Sequence, residues 1–297
     1  TYVIMSIMMM VMIIMLSPAA QVSAQRINEV LETRDSLIQG TRADASETGT
    51  VEFRDVSFHY PSSNKNVLEH ITFQARQGET VAFIGATGSG KTTLVSLAAR
   101  FYDATEGQVL VDGVDVKDYT FDALYDRVGY MTQKAILFSG DVRGNVLFGA
   151  SRGGDSDEDV RKALDLAQAS EFVDKMPGGI HAPIAEGGTN VSGGQKQRLS
   201  IARALARRPE ILVFDDSFSA LDYRTDAKLR AGLDRELKDT TRLIVAQRIG
   251  TIRDADKIIV LDEGKMVGMG THNELMRTCP VYQEIARSQL SQEELGA

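Results

Sequence analysis

The first residues of the chain are almost entirely apolar. No charged side chain occurs from Thr1 to Ser17, and six methionines lie between Met5 and Met15. A helix over residues 2–16 would be roughly 22 Å long, shorter than the ~30 Å hydrocarbon core of a bilayer. The pattern therefore predicts the last part of a transmembrane helix, with a signal peptide and a buried soluble helix as alternatives. Because the chain opens on Thr, we expect this helix to start upstream.

The pattern changes to mixed charge over residues 21–39, which is typical of a helix that leaves the membrane for water. Arg26 and Arg34 favour a cytoplasmic exit, although acidic residues lie among them. The next segment, GTRADASETGT, is small and polar and predicts a linker. The expected organisation is a membrane segment with its cytoplasmic extension over 1–39, a linker over 40–50, a soluble domain over 51–290 and a C-terminal tail over 291–297.

Strand-like and helix-like patterns alternate through the soluble part. Residues 51–58 and 71–73 predict strands that flank a turn, and QVLVDGVDV at 108–116 alternates about an Asp-Gly hairpin signal. Residues 157–175 carry apolar side chains at helical spacing. We expect an α/β domain with a parallel core, an antiparallel β subdomain and a helical subdomain over about 134–205.

The strongest motif is GATGSGKT, which follows a β-rich run and precedes a helical pattern. This is the strand–loop–helix context of a P-loop, whose glycines let backbone N–H groups face a phosphate chain. The Lys91 ammonium would contact the β- and γ-phosphates, and the Thr92 hydroxyl would coordinate Mg²⁺. The predicted nucleotide-binding residues are Gly85, Ala86, Thr87, Gly88, Ser89, Gly90, Lys91, Thr92 and Thr93.

Two further motifs complete the pattern. The run ILVFDD ends in Asp215 and Asp216, as expected of a buried strand that delivers charge to a site at its C-terminal end. Asp215 is the expected Walker B acid, which holds the water shell of the metal. The sequence VSGGQ opens a helix that Pro209 stops, and it predicts a second anion site at Ser192, Gly193, Gly194 and Gln195.

Composition excludes some classes of function. The formal net charge of −8 argues against nucleic acid as a partner, because proteins that bind the phosphate backbone usually carry a basic surface. The one cysteine, Cys279, rules out an internal disulfide and suits a reducing compartment.

The P-loop, the SGGQ sequence and the Walker B strand, in this order, resemble the nucleotide-binding domain of exporter-type ABC transporters over residues 51 to about 290. The resemblance implies a P-loop NTPase (RecA-like) core with ATP and Mg²⁺ as cofactors. It implies a head-to-tail dimer in which each ATP lies between the P-loop of one subunit and the SGGQ signature of the other. It also implies a multi-pass protein of the cell membrane, a cytoplasmic nucleotide-binding domain and a small-molecule, lipid or peptide cargo.

The resemblance assigns roles to single side chains. Tyr60 is similar to the aromatic residue that stacks on adenine, and Gln133 to the glutamine that reaches Mg²⁺ and senses the membrane domain. Glu186 resembles the acid of a loop that contacts the membrane helices, with an ordinary solvated loop as the alternative. Asp222 resembles the D-loop acid that touches the partner's site. The expected metal contacts are Thr92, Gln133 and Asp215.

Two positions depart from the family pattern. Asp216 stands where hydrolytic members have a Glu that polarises the attacking water, and its shorter side chain places the carboxylate roughly 1 Å away, which can cost ~10²-fold in rate. Gln247 stands where the family has a switch histidine, and an amide cannot carry its positive charge. Together they predict retained ATP binding with slow hydrolysis.

This combination resembles one half of a heterodimeric exporter with a degenerate site. The intact signature of this chain would then complete the site of a partner that carries Glu and His at the matching positions. Three alternatives are a homodimeric exporter with Asp216 as a slow base, a soluble ABC ATPase without a transport role, and an ATP-binding regulatory module.

Overall fold

The computed structural model describes residues 2–33, 36–149 and 154–289. The chain divides into two compact units, Thr1–Ile38 and Gln39–Ala297. Arg34 and the expected tail over 291–297 lie outside the described residues.

The first unit contains one long helix, α1 (Tyr2–Glu32, 31 residues). It runs through the apolar segment, past Pro18, and into the mixed-charge segment, so the helical extension ends at Glu32 rather than near residue 39. None of its residues is buried within the chain. At 1.5 Å per residue α1 is about 46 Å long, and it is long and apolar enough to cross a membrane.

The second unit is built on twelve strands among the described residues. In chain order they are β1 (Val51–Phe58), β2 (Leu68–Ala75), β3 (Thr80–Gly85), β4 (Glu106–Val111), β5 (Val114–Asp115), β6 (Val128–Met131), β7 (Gly140–Asp141), β8 (Pro183–Ile184), β9 (Ile211–Asp215), β10 (Thr241–Val245), β11 (Lys257–Asp262) and β12 (Lys265–Gly270).

These strands form an antiparallel sheet beside a mostly parallel one. The antiparallel sheet has the order β2-β1-β4-β5, and its β4–β5 hairpin turns at Asp112 and Gly113, whose φ angles of 52° and 76° are those of a type I′ turn. The other sheet has the order β12-β11-β3-β10-β9-β6, in which only β12 runs antiparallel. The predicted α/β class, with a parallel P-loop core and an antiparallel β subdomain, is confirmed.

The helices of the second unit lie around these sheets. They are α2 (Lys91–Ala98), α3 (Phe121–Arg127), α4 (Val142–Val146), α5 (Asp157–Leu166), α6 (Ser170–Val173), α7 (Gly193–Ala206), α8 (Tyr223–Glu236), α9 (Ile249–Ile252), α10 (His272–Thr278) and α11 (Pro280–Gln289). Helices α4 and α5 pack on α7 and form the predicted helical subdomain.

The helical pattern over residues 157–175 proves to be two helices. Val160 and Leu164 are buried on α5, as their spacing indicates. The helix ends because Gln168 adopts a left-handed backbone conformation with φ 57°, and α6 starts afresh after it. The helical spacing of the apolar residues is thus confirmed, and the helix that carries it ends at Leu166.

The parallel sheet separates two hydrophobic cores. In β9, Ile211 and Val213 face the core shared with the antiparallel sheet, whereas Leu212 and Phe214 face the core shared with the helical subdomain. Successive side chains of a strand point to opposite faces, so a strand buried on both faces needs an unbroken apolar run. This explains why the sequence before Asp215 is apolar at every position.

Residues 40–50, here called the strap, lie along the surface of the second unit. The Gly40 and Arg42 amides donate to the carbonyls of Tyr119 and Asp118, both at 2.9 Å. The Thr50 amide donates to Oδ1 of Asp112 at 2.8 Å. The sequence predicts a linker here. In the structure, hydrogen bonds from its main-chain amides hold this segment on the second unit.

A buried group of charges lies under the strap. Arg127 donates to the Ala43 carbonyl at 2.9 Å, and its Nε lies 3.4 Å from Oδ2 of Asp112. Asp112 is fully buried in the β4–β5 hairpin. Burial, together with a hydrogen bond to the Glu210 carboxyl group, raises the pKa of Asp112 to about 7.

We expect this carboxyl to make the fold less stable as the pH rises. The folded chain holds a proton on Asp112 that the unfolded chain, with an ordinary Asp pKa near ~3.9, releases. That contribution is fully present below the ordinary pKa and is lost as the pH rises through about 7. Thermal melting followed by circular dichroism should show a wild-type Tm about 3–6 °C lower at pH 8 than at pH 5.5.

The neutral variant Asp112→Asn should flatten this dependence, and Asp118→Asn, at an exposed neighbour, should leave it unchanged. A slope that survives in Asp112→Asn would show that another group is responsible.

Candidate functional site

The fold brings four loops together at the carboxyl edge of the parallel sheet. Strands β3, β10, β9 and β6 are neighbours in this order, and each ends in a loop that carries a predicted site residue. The P-loop follows β3, Gln247 follows β10, Asp216 follows β9, and Gln133 follows β6. Ligands of open parallel sheets bind at this edge, so the strand order alone assembles the site.

The P-loop curls around the ammonium group of Lys91. Its Nζ donates to the carbonyls of Gly85 and Ala86 at 2.9 and 2.8 Å. Gly90 has φ 97°, and a Cβ there would lie 2.7 Å from the Leu68 side chain, so a larger residue would distort the loop. Burial lowers the pKa of Lys91, and the carboxylates of Asp216 and Asp215 oppose that shift.

Asp215 is held by two hydroxyl groups. The Thr92 hydroxyl donates to its Oδ1 at 2.8 Å, and the Tyr130 hydroxyl donates to its Oδ2 at 3.1 Å. Burial raises the pKa of Asp215, while these two hydrogen bonds and Lys91 lower it. The adjacent hydroxyl and carboxylate oxygens are hard ligands of the kind that Mg²⁺ takes beside phosphate oxygens.

The described residues contain no group of three or more His, Cys, Asp or Glu side chains suited to a metal. A Mg²⁺ ion near Thr92, Gln133 and Asp215 would take its remaining ligands from water and from the nucleotide, which is usual for this ion.

One carboxylate oxygen of Asp216 accepts hydrogen bonds from two side-chain amides. Nε2 of Gln133 and Nε2 of Gln247 both donate to its Oδ2, at 3.0 and 2.9 Å. The backbone of Asp216 is left-handed, with φ 50°. Burial raises the pKa of Asp216; the Gln133 amide lowers it, the nearby Asp215 raises it, and the Gln247 amide lowers it.

These groups line a cavity of about 340 Å³. Its lining residues are Val67, Thr87, Gly88, Gly90, Lys91, Thr92, Thr93, Gln133, Asp216, Val245 and Gln247. All except Val67 and Val245 were expected from the sequence, since these two apolar residues belong to no motif. Tyr60 lies beside the loop, where its hydroxyl is 2.9 Å from Oγ1 of Thr93 and its ring packs edge-on to those of Phe58 and Tyr102.

The signature residues do not line this cavity. Ser192 caps α7: its side chain accepts from the Gln195 amide at 3.3 Å, while the Gln195 side chain accepts from the Ser192 amide at 2.8 Å. Both Ser192 and Gly193 are exposed. Asp222 is exposed and caps α8 through Thr225, and Glu186 is exposed in a short turn.

The sequence pattern misses Tyr130. It lies on β6 three positions before Gln133, and only the neighbouring strand β9 brings its hydroxyl to Asp215. A tyrosine in an apolar strand normally indicates packing, so no local signal distinguishes this one.

This chain is similar to known ABC transporter proteins. A family model described as ABC transporter matches residues 68–219. An ABC transporter ATP-binding protein of Mycobacterium bovis is 45% identical over 293 residues, covering 97% of this chain and 50% of that protein. The ATP-dependent lipid A-core flippase of Escherichia coli K12 is 38% identical over 270 residues, covering 91% of this chain and 46% of that protein.

A solved structure agrees with these relatives. It is the structure of a bacterial Atm1-family ABC exporter with ATP bound, which superimposes with a TM-score of 0.85 at 32% identity and covers 94% of this chain and 49% of that one. The chain spans about half the length of the curated relatives it matches.

We expect Tyr130→Phe to weaken Mg-ATP binding about tenfold, because Asp215 loses a donor in a buried site. The loss also raises the pKa of Asp215, and a protonated carboxyl group cannot hold the metal. The fall of binding towards acid pH should therefore begin at a higher pH than in the wild type. Titration with a fluorescent ATP analogue and Mg²⁺ between pH 5.5 and 8 measures both effects.

Tyr125→Phe is the matched control, because the Tyr125 ring stacks on Phe121 instead of reaching the site. Equal effects of the two variants would mean that the Tyr130 hydroxyl contributes nothing specific to the metal site.

Proposed function

This chain belongs to the ABC transporter family, and we propose that it is the ATP-binding part of an exporter subunit whose own ATP site hydrolyses slowly. The subunit would couple ATP binding and hydrolysis in a dimer to efflux across a membrane. The matches to an exporter structure and to a flippase support this direction of transport. The apolar helix α1 supports a membrane location, with the nucleotide-binding domain in the cytoplasm where ATP is found.

The ATP-binding role rests on the P-loop and its neighbours. Lys91 and the loop amides would hold the phosphate chain, and the Tyr60 ring would stack on adenine. Thr92 and Asp215, with Gln133 nearby, would hold Mg²⁺, which supplies charge neutralisation of the phosphates when bound. Tyr130 would keep Asp215 oriented towards the metal.

Slow hydrolysis is supported above all by the surroundings of Asp216. A general base must offer an oxygen to the attacking water within hydrogen-bond reach. Here Oδ2 of Asp216 already accepts from both Gln133 and Gln247. The carboxylate is thus drawn towards two amides, and its side chain is one methylene shorter than that of Glu. Gln247 also supplies no positive charge to the γ-phosphate.

The signature of this chain would act on its partner's ATP. Ser192, Gly193 and Gly194 open helix α7, whose N-terminal amides favour an anion. Since they do not line the cavity of their own chain, they are available to a head-to-tail partner. We propose a heterodimer in which that partner carries Glu and His at the positions of Asp216 and Gln247, and Asp222 lies at the shared interface.

A homodimeric exporter is the second candidate. Burial raises the pKa of Asp216, which makes its carboxylate a better proton acceptor, and this observation favours Asp216 as a slow catalytic base. The proposed cargo is a small molecule, a lipid or a peptide, and the flippase relative supports testing lipids first.

The double substitution Asp216→Glu plus Gln247→His should raise steady-state Mg-ATP turnover of the purified chain at least about tenfold. Glu restores the reach of the base and His restores a charged contact, each worth about 10²-fold or more in favourable sites. Phosphate release is the measurement. The pair Asp239→Glu plus Gln108→His, at two exposed positions, makes the same chemical changes away from the site and should have no effect.

An ordinary transport-ATPase rate in the wild type alone would favour the homodimer instead. If both proteins stay at background although ATP binds, the substitutions are not what limits hydrolysis, and the degenerate-site proposal fails.

A further inference from the structure

We propose that Gln289, at the end of α11, is a positioning residue for the ATP site that acts through the backbone of Gln247. The inference rests on the proposed role of Gln247 beside Asp216. It adds a side chain from the C-terminal helix to a site that is otherwise built from loops at the carboxyl edge of the sheet.

The contact is a two-point clamp on the segment after β10. Nε2 of Gln289 donates to the carbonyl oxygen of Gln247 at 2.7 Å. Oε1 of Gln289 accepts from the amide of Ile249 at 2.9 Å. One planar amide group thus holds the residues on both sides of Arg248. The two hydrogen bonds fix the direction of the main chain at Gln247, and with it the direction of the Gln247 side chain.

The start of helix α9 explains why such a clamp is needed. The first amides of a helix have no partner within it and usually bond to a capping side chain. Arg248 occupies the N-cap position of α9 and makes no side-chain cap hydrogen bond. Gln289 supplies the missing acceptor from another element, and the helix start becomes dependent on α11.

Helix α11 provides a fixed base for this clamp. Tyr282 and Ala286 are fully buried on it, and at spacings of four and three residues they share one face of the helix with Gln289. The Tyr282 hydroxyl lies 2.7 Å from Nδ1 of His272 on α10. These contacts fix α11 in place, so Gln289 at its end is held beside α9.

The effect reaches the site in one further contact. The Gln247 side chain donates to Oδ2 of Asp216 at 2.9 Å. If the Gln247 backbone is released, the amide that positions this carboxylate is released with it. A displacement of about 1 Å at a reacting group can cost up to ~10²-fold in rate. Because the clamp consists of two hydrogen bonds near the surface, we expect a smaller loss of about three- to tenfold.

The test compares Gln289→Ala, Gln289→Glu and Gln283→Ala in the full chain, in the wild type and in the Asp216→Glu plus Gln247→His background. Gln283 is another glutamine of α11 and serves as the matched control. Hydrogen–deuterium exchange of residues 246–252 reports the clamp directly, without any turnover. The kcat and KM for Mg-ATP are measured in whichever background turns over faster.

Gln289→Ala should speed exchange at Ile249 and lower kcat about three- to tenfold with KM changed less than about twofold. Gln289→Glu keeps the acceptor for Ile249 but sets a carboxylate oxygen against the Gln247 carbonyl, so it should preserve much of the exchange protection and still lower kcat. Gln283→Ala should change neither quantity.

Three results would overturn the inference: unchanged exchange in Gln289→Ala, faster exchange without a fall in kcat, or the same fall in Gln283→Ala. Failure of the proposed function is a separate outcome. In that case the double substitution brings no gain. Exchange at Ile249, which needs no turnover, then still shows whether Gln289 holds this segment, and a wild type that turns over at an ordinary rate supplies the kcat.

Discussion

The site depends on satisfying two carboxylates that are almost completely buried side by side. Asp215 and Asp216 are 4% and 7% exposed, and a buried charge without partners costs several kcal/mol. Each carboxylate receives two donors, and the donors come from the P-loop helix, the end of β6 and the loops after β6 and β10. The strand order β3-β10-β9-β6 is what brings these segments within reach. The two acids therefore depend on the sheet topology for their hydrogen-bond donors. A strand order that separated β6 or β10 from β9 would remove donors from them.

Much of this arrangement could be predicted from the sequence, because its signals are local. The P-loop glycines, the apolar run before Asp215 and the Asp-Gly turn each define their own conformation, and the sheet class follows from them. Tyr130 and Gln289 could not be found in this way, since their partners lie on other elements. The left-handed backbone at Gln168, which ends α5, also has no signal in the apolar spacing. Local patterns predict which elements form, whereas side-chain contacts between elements need the assembled fold.

The two side chains that donate hydrogen bonds to Asp216 are both neutral amides. They hold its Oδ2 at 3.0 and 2.9 Å. Hydrogen bonds to an ionised acceptor are strong even when the donor is neutral. The pocket is therefore well formed around a carboxylate whose two amide donors carry no charge. Its geometry supports nucleotide binding, whereas the proposal of slow hydrolysis rests on the charge and reach of the side chains at Asp216 and Gln247.

The left-handed backbone at Asp216 favours Asp over Glu at this position. A φ of 50° is uncommon for residues other than glycine, and Asp tolerates it better than longer side chains do. An Asp is therefore less strained than a longer acid would be at the point where the chain turns from β9 towards α8. For the slow site proposed above, the short carboxylate would be the acid that strains the backbone less.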